Sequence, residues 1–251
     1  MEQENKITIL STFANDKLVN ASGALLGRQK GGPAFYLKRA FEKENVSLKT
    51  GPKMEVQILM TKNREFGKVP KIPKQKVIRF SQIKTSFLLI SSVLNELDLA
   101  KHPNYRGKVF FDIQGYVRNG NDFGKKKLWK PNEKIFANIF CLKGTKEEVQ
   151  NIPRQYVEAQ KQKVLLITKG KLGCEIFAFG KRYNIKPSKV VASKNTIGAG
   201  DTFFAYFVSR FAKTAKILDS AKYAVKKTSL FLSKQNNHHH NQLFLEEIGC
   251  G

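Results

Sequence analysis

Asn195-Thr196-Ile197-Gly198-Ala199-Gly200-Asp201-Thr202 runs directly into Phe203, Phe204, Phe207, Val208 and Phe211, an apolar stripe at helical spacing. The stretch reads as a tight turn that opens a helix. Gly198, Ala199 and Gly200 carry almost no side chain, so their backbone N–H groups can approach a ligand closely, and a helix N-terminus adds partial positive charge. An anion suits such a turn. Asp201 in the first helical turn has two readings, because a carboxylate there also complements the helix dipole with no chemistry to perform. On these residues alone, an anion hole and an ordinary helix start stand level.

Outward from this turn, apolar runs bounded by turn residues predict strands at Ile7–Leu10, Glu55–Thr61, Phe87–Ser91, Val109–Asp112, Lys134–Cys141 and Val164–Thr168. Helical patterns lie between several of them. Pro33 suits the first position of a helix that buries Ala34, Leu37, Ala40 and Phe41, and Leu218, Ala221, Val225 and Leu232 form a further stripe. Strands alternating with helices predict an α/β layered fold with a largely parallel sheet. Two stretches lack a helical period and carry Gly and Pro, about Phe13–Lys30 and about Asn63–Phe80, and are expected to form a small lid. Gly180-Lys181 between Glu175–Phe179 and Arg182–Ile185 predicts a hairpin with Gly at the first turn position. With no internal repeat and no low-complexity linker, residues 1–251 are expected to form one domain.

The net charge is +25, from 45 basic and 20 acidic residues. It would concentrate phosphate-bearing anions near the surface. Lys is scattered through every segment, unlike the focused patch of a nucleic-acid groove, so nucleic-acid binding takes second place. No apolar run approaches the ~20 residues of a membrane-spanning helix. Met1–Lys6 lack the pattern of a secretory signal, so a cytoplasmic location is expected. Cys141, Cys174 and Cys250 have neither disulfide nor zinc-site spacing and are expected as reduced thiols. His238–His240, flanked by Asn, are expected in a solvated loop, with no metal assigned to them.

The run Asn195–Asp201 resembles the C-terminal signature of the ribokinase-like, or PfkB-type, carbohydrate kinases, usually Asp-Thr-x-Gly-Ala-Gly-Asp. The resemblance continues in order along the chain. Asn15-Asp16 follows the first strand, where the family places an Asp that hydrogen-bonds substrate hydroxyls. Gly31-Gly32 precedes a helix, as in the family's N-terminal signature. Phe110-Phe111-Asp112-Ile113-Gln114-Gly115-Tyr116-Val117-Arg118 is similar to an Asp-x-Gln-Gly-aromatic-x-Arg stretch of a subset of these kinases. Lys143–Glu148 falls at the family's Asn-x-x-Glu motif, and Thr168–Gly173 resembles its Thr-x-Gly-x-x-Gly nucleotide stretch.

That resemblance implies a three-layer α/β/α fold with a mostly parallel sheet and a small, reduced β lid. It implies a kinase moving the ATP γ-phosphate to a hydroxyl of a sugar, an inositol-like polyol or a nucleoside. Asp201 would be the general base, and the N–H groups of Gly198, Ala199 and Gly200 the anion hole. Asp16, Gly31, Gly32, Tyr36, Gln114 and Arg118 would bind the acceptor, and Lys143, Thr145, Thr168, Gly170 and Gly173 the nucleotide. Glu148 would act on Mg2+ through water. Three departures stand out. Asn195 replaces the leading Asp, which counts against activation by a monovalent cation; Thr145 replaces the Asn of the Asn-x-x-Glu motif; and Tyr36 narrows an acceptor wall where sugar kinases often carry Asn. The subgroup most similar is the archaeal inositol kinases and their unassigned relatives, with a monomer or homodimer expected. The competing readings are a catalytically weak kinase-fold regulator that binds nucleotide or sugar, and a basic nucleic-acid-binding protein.

Overall fold

The computed structural model describes residues 7–60, 65–78, 82–99, 105–193 and 195–248. β1 (Ile7–Ser11) is buried along its whole length, and the chain then leaves it as the hairpin β2 (Ala14–Val19) and β3 (Leu25–Gly31). α1 (Pro33–Ala40) leads to β4 (Val46–Thr50), then to β5 (Met54–Met60), β6 (Glu65–Lys68) and β7 (Lys76–Val77). β8 (Phe87–Ser91), β9 (Leu97–Asp98) and β10 (Lys108–Asp112) come next, followed by the single turn α2 (Gln114–Val117) and the ribbon β11 (Arg118–Asn119) and β12 (Asp122–Lys126). α3 (Glu133–Asn138), β13 (Ile139–Thr145), α4 (Lys146–Val149), α5 (Arg154–Lys161) and β14 (Val164–Thr168) lead to the hairpin β15 (Cys174–Ala178) and β16 (Lys181–Ile185). Two helices, α6 (Ala199–Thr214) and α7 (Ile217–Ile248), complete the described chain.

The central sheet has eight strands in the order β16-β15-β14-β13-β10-β8-β1-β4. The six from β14 to β4 are parallel and the β15–β16 hairpin adds an antiparallel edge. Both faces are covered, which is why strands such as Phe87–Ser91 read as continuous apolar runs rather than alternations. On one face α1, α6 and α7 bury Leu37, Phe204, Phe207 and Ala221 against Ile9, Leu89 and Phe110. The other face packs Leu88, Ile90, Phe111 and Leu142 under Tyr116, Phe136 and Val149. The architecture is a three-layer α/β/α stack, as the resemblance implied, around the largely parallel sheet that the alternation predicted.

A second sheet of four strands, in the order β3-β2-β5-β6, projects from it. Ala14, Met54, Val56 and Ile58 of this sheet close on Val69, Val93 and Leu94, giving it an apolar underside of its own. β2 and all of β3 but Gly31 fall within Phe13–Lys30, the first of the two stretches expected to form a lid. β5, which the sequence placed among the strands of the parallel sheet, pairs parallel to β2 instead. Within 63–80 only β6 joins this sheet, β7 pairs with β9 elsewhere, and residues 63, 64, 79 and 80 lie outside the described set.

Three further predictions change. Lys134–Cys141, read as one strand, is the helix α3 followed by the start of β13. The side chain of Asn132 caps that helix by accepting from the Lys134 N–H at 3.0 Å, a local bond that outweighs the apolar run. The β15–β16 turn is Phe179-Gly180, both at positive φ, so glycine takes the second turn position rather than the first. His238–His240 lie on helical backbone within α7. Cys141 and Cys174 are buried free thiols, and Cys250 lies outside the described residues. Among the described residues no helix is long and apolar enough to cross a membrane.

Candidate functional site

Ser91, Asp112, Lys143, Thr145 and Thr168 stand at or next to the C-terminal ends of four adjacent parallel strands, β8, β10, β13 and β14, the edge of an open α/β sheet where ligands bind. Above that edge α6 begins. Gly198 caps it at φ +77, in the left-handed region, and a Cβ there would sit 2.2 Å from the Tyr36 ring. Glycine is required on both counts. The turn is closed by the Ala199 N–H, which donates to the Thr196 carbonyl at 3.1 Å. Ala199 was expected to donate that N–H to an anion; here the Thr196 carbonyl takes it. Among the described residues, no backbone acceptor takes the N–H groups of Gly198, Gly200 or Asp201.

Asp201 is buried, yet its carboxylate is held by other elements rather than by its own helix. Oδ1 accepts from Gln114 Nε2 at 2.8 Å and from Ser91 Oγ at 3.3 Å. Gln114 Oε1 accepts in turn from Arg118 Nη2 at 3.1 Å, and Arg118 lies over the Phe123 ring. Ser91 Oγ is also 3.3 Å from Asp112 Oδ2, an oxygen that accepts from Lys143 Nζ at 2.7 Å. Burial pushes the Asp201 carboxyl above its ordinary range, against the pull of Lys143 and Arg118. A carboxylate so raised is a better proton acceptor than a solvated one.

The lid brings in Asp16, on β2. Burial raises its carboxyl to about 6, with Gln29 and the charge of Arg118 pulling the other way. Room for it comes from Gly31, where a Cβ would fall 1.9 Å from Asp16 Oδ2. Gly32, at φ +76, turns the chain into α1, and its backbone lies close against Thr12 and Ala14. Tyr36 on α1 then packs edge-on against Phe35 and Phe231, with the Gly198 turn at its face. Arg118 acts electrostatically on both Asp16 and Asp201, so one guanidinium links the two carboxylates.

On the neighbouring strands, register places Thr145 opposite Thr168, and Thr168 Oγ1 donates to the Gly144 carbonyl at 3.4 Å. Gly170, which opens the 3-10 turn Gly170–Leu172 after β14, and Gly173, which ends it, are both at positive φ. Thr145 and Glu148 make a reciprocal capping box at the start of α4: Thr145 N–H donates to Glu148 Oε2 at 2.8 Å and Glu148 N–H to Thr145 Oγ1 at 3.2 Å. Glu148 is buried, with one oxygen committed to that cap. No group of three or more His, Cys, Asp or Glu side chains placed to hold a metal ion occurs among the described residues.

The sequence missed Ser91 and left Asp112 without a role, although both stand between the base candidate and Lys143. Their partners lie up to 110 residues away, and only the strand order joins them.

Residues 123–241 match the model of the pfkB family carbohydrate kinases. No curated protein matches the chain. Among solved structures it is similar to a pyrophosphate-dependent kinase in the ribokinase family, complexed with a pyrophosphate analog and myo-inositol, at 17% identity and TM-score 0.69 over 90% of this chain and 95% of that one. Arabidopsis thaliana ribokinase complexed with ribose and ATP is 13% identical, with TM-score 0.67 over 92% and 93%. A Methanocaldococcus jannaschii nucleoside kinase, an archaeal member of the ribokinase family, is 16% identical, with TM-score 0.64 over 91% and 92%. Identities this low establish the fold, which is ribokinase-like.

Proposed function

We propose that this chain, a ribokinase-like fold with a PfkB-type segment at residues 123–241, is a small-molecule kinase that moves a terminal phosphate from ATP onto a hydroxyl of a sugar, an inositol-like polyol or a nucleoside. The observation that carries this reading is the Asp201 carboxylate. It is raised by burial, oriented by Gln114 and Ser91, and set three residues from the left-handed Gly198 at a turn with spare N–H donors.

Asp201 takes the proton from the acceptor hydroxyl, whose oxygen attacks the terminal phosphorus in line as the bond to the nucleotide oxygen breaks. The Gly198, Gly200 and Asp201 N–H groups stabilise charge on the phosphoryl oxygens, because they are already aimed when that charge develops. Asp16, Gln114 and Arg118 orient the acceptor, with Tyr36 as its apolar wall and Gly31-Gly32 as the point where the lid joins. Lys143, Thr145, Thr168, Gly170 and Gly173 form the donor side. Glu148 would be the residue that holds a Mg2+ ion, through a water, and the chemistry such an ion would supply is neutralisation of charge on the donor phosphates.

The test is a panel of polyols, sugars and nucleosides, with ATP and with pyrophosphate as donor and magnesium present. Asp201→Asn is expected to keep donor affinity within about threefold while kcat falls by ~10²–10⁴, the range for loss of a general base. Wild-type turnover by that variant on a confirmed acceptor would remove the assignment. Tight donor binding with no acceptor phosphorylated would favour a regulator built on the same fold.

A further inference from the structure

Lys143 is 3% exposed, and its ammonium has one hydrogen-bond acceptor among the described residues, Asp112 Oδ2 at 2.7 Å. An ammonium carries three donors, so two are left over. A Cβ built on Gly200 would lie 3.1 Å from Lys143 Nζ, which places the charge directly against the first turn of α6. Asp112 is fully buried and uses its other oxygen to accept the Gln114 N–H at 3.1 Å, while Gln114 also binds the Asp201 carboxylate. Stability alone does not account for this pair. Desolvating two such ions costs several kcal/mol each, and an apolar pair of the same volume often serves folding equally well.

We propose that Lys143 is a fixed cation of the transfer site: anchored by Asp112, its ammonium offers its unspent donors to the anion held at the Gly198–Asp201 turn, so that the turn needs no inorganic monovalent ion. The charge is covalently part of the chain and already desolvated, which strengthens its action on a developing anion. Despite burial, the carboxylates of Asp112, Asp201 and Glu148 hold its pKa above the ordinary lysine value, so it stays charged across the neutral range. The kinetic arm of the test rests on the kinase reading, whereas the binding arm stands without it.

Inorganic pyrophosphate binding is measured by calorimetry on wild type, Asp112→Asn, Lys143→Met and the charge-neutral pair Asp112→Asn/Lys143→Met. Exposed Lys181→Met serves as the control for lost charge. The pair is expected to bind about tenfold more weakly than Asp112→Asn, as for loss of one charge-assisted contact, with Lys181→Met unchanged. On a confirmed acceptor, kcat of the pair falls ~100-fold below Asp112→Asn while the acceptor KM moves less than about threefold. Wild-type pyrophosphate affinity is expected to be the same in potassium, sodium and tetramethylammonium chloride. A folded pair that binds pyrophosphate like Asp112→Asn overturns the proposal, as does wild-type affinity or turnover that rises more than about tenfold with potassium over tetramethylammonium. If neither lysine variant folds, that cation series decides. Pyrophosphate binding that depends on Lys143 in a protein that phosphorylates nothing would sink the kinase reading and leave this one standing.

Discussion

Asp16 is a carboxylate that folding removes from water, and the sign of the consequence can be worked out. Its folded pKa is about 6 against an ordinary 3.8, so between those values the native state holds a proton that the unfolded chain has lost. Stability therefore falls as pH rises through that window, the reverse of a salt-bridged Asp. Asp16→Asn should abolish this contribution while keeping a group that can meet Gln29. The Tm difference between variant and wild type should widen in the variant's favour as pH is raised from 3.8 to about 6, which calorimetry across the window can check. A difference independent of pH would show the carboxyl to be solvated. Asp16, Gly31 and Asp201 were legible in the sequence because each sits in a short pattern whose order along the chain carries meaning. The support beneath them was not legible. Nothing local in Phe87–Ser91 says that its last hydroxyl bridges two carboxylates, one on the next strand and one on a helix 110 residues further on.

Elements were legible where a chain signal matched the local physics, as with Pro33 opening α1 and the Phe stripe of α6. They were misread where a cap decided against the apolar run, as at Asn132 and α3. The start of α6 makes a sharper case. Gly198→Ala would force a non-glycine residue to φ +77 and drive its Cβ into a Tyr36 ring already held by Phe35 and Phe231. A loss of ~1–3 kcal/mol from backbone strain is expected before the steric clash is added. Denaturant titration should show it, and Gly198→Ala/Tyr36→Ala should recover the steric part alone. A Gly198→Ala variant as stable as wild type would mean that the turn is not left-handed. At α4 the capping box sets a smaller scale: Thr145→Ala should cost ~1 kcal/mol, the usual value for a lost N-cap. That loss is separable from any donor-binding role, because it appears in stability with no donor present.

At the scale of the whole molecule, the layered α/β class and its parallel sheet followed from alternation, while the four-stranded second sheet did not. β3 has almost no buried face, so its residues carry no apolar period to read, and β2 reaches β5 in parallel across two intervening strands and a helix. Pairings of that separation depend on strand order, which composition does not encode. The net charge of +25 is a property of the same scale. Lysines spread over the surface do not define a groove, but their summed field attracts a polyanionic donor and leaves a neutral acceptor unaffected. The screening length shrinks from ~30 Å at 0.01 M salt to ~10 Å at 0.1 M, so the field is lost over a range in which contacts inside the site persist. The donor KM should therefore rise several-fold between those two salt levels, with kcat and the acceptor KM unchanged. Steady-state kinetics in tetramethylammonium chloride at fixed free magnesium separates the outcomes. A donor KM indifferent to salt would mean that local contacts alone recruit the donor, and an acceptor KM rising in parallel would mean that the acceptor itself is an anion.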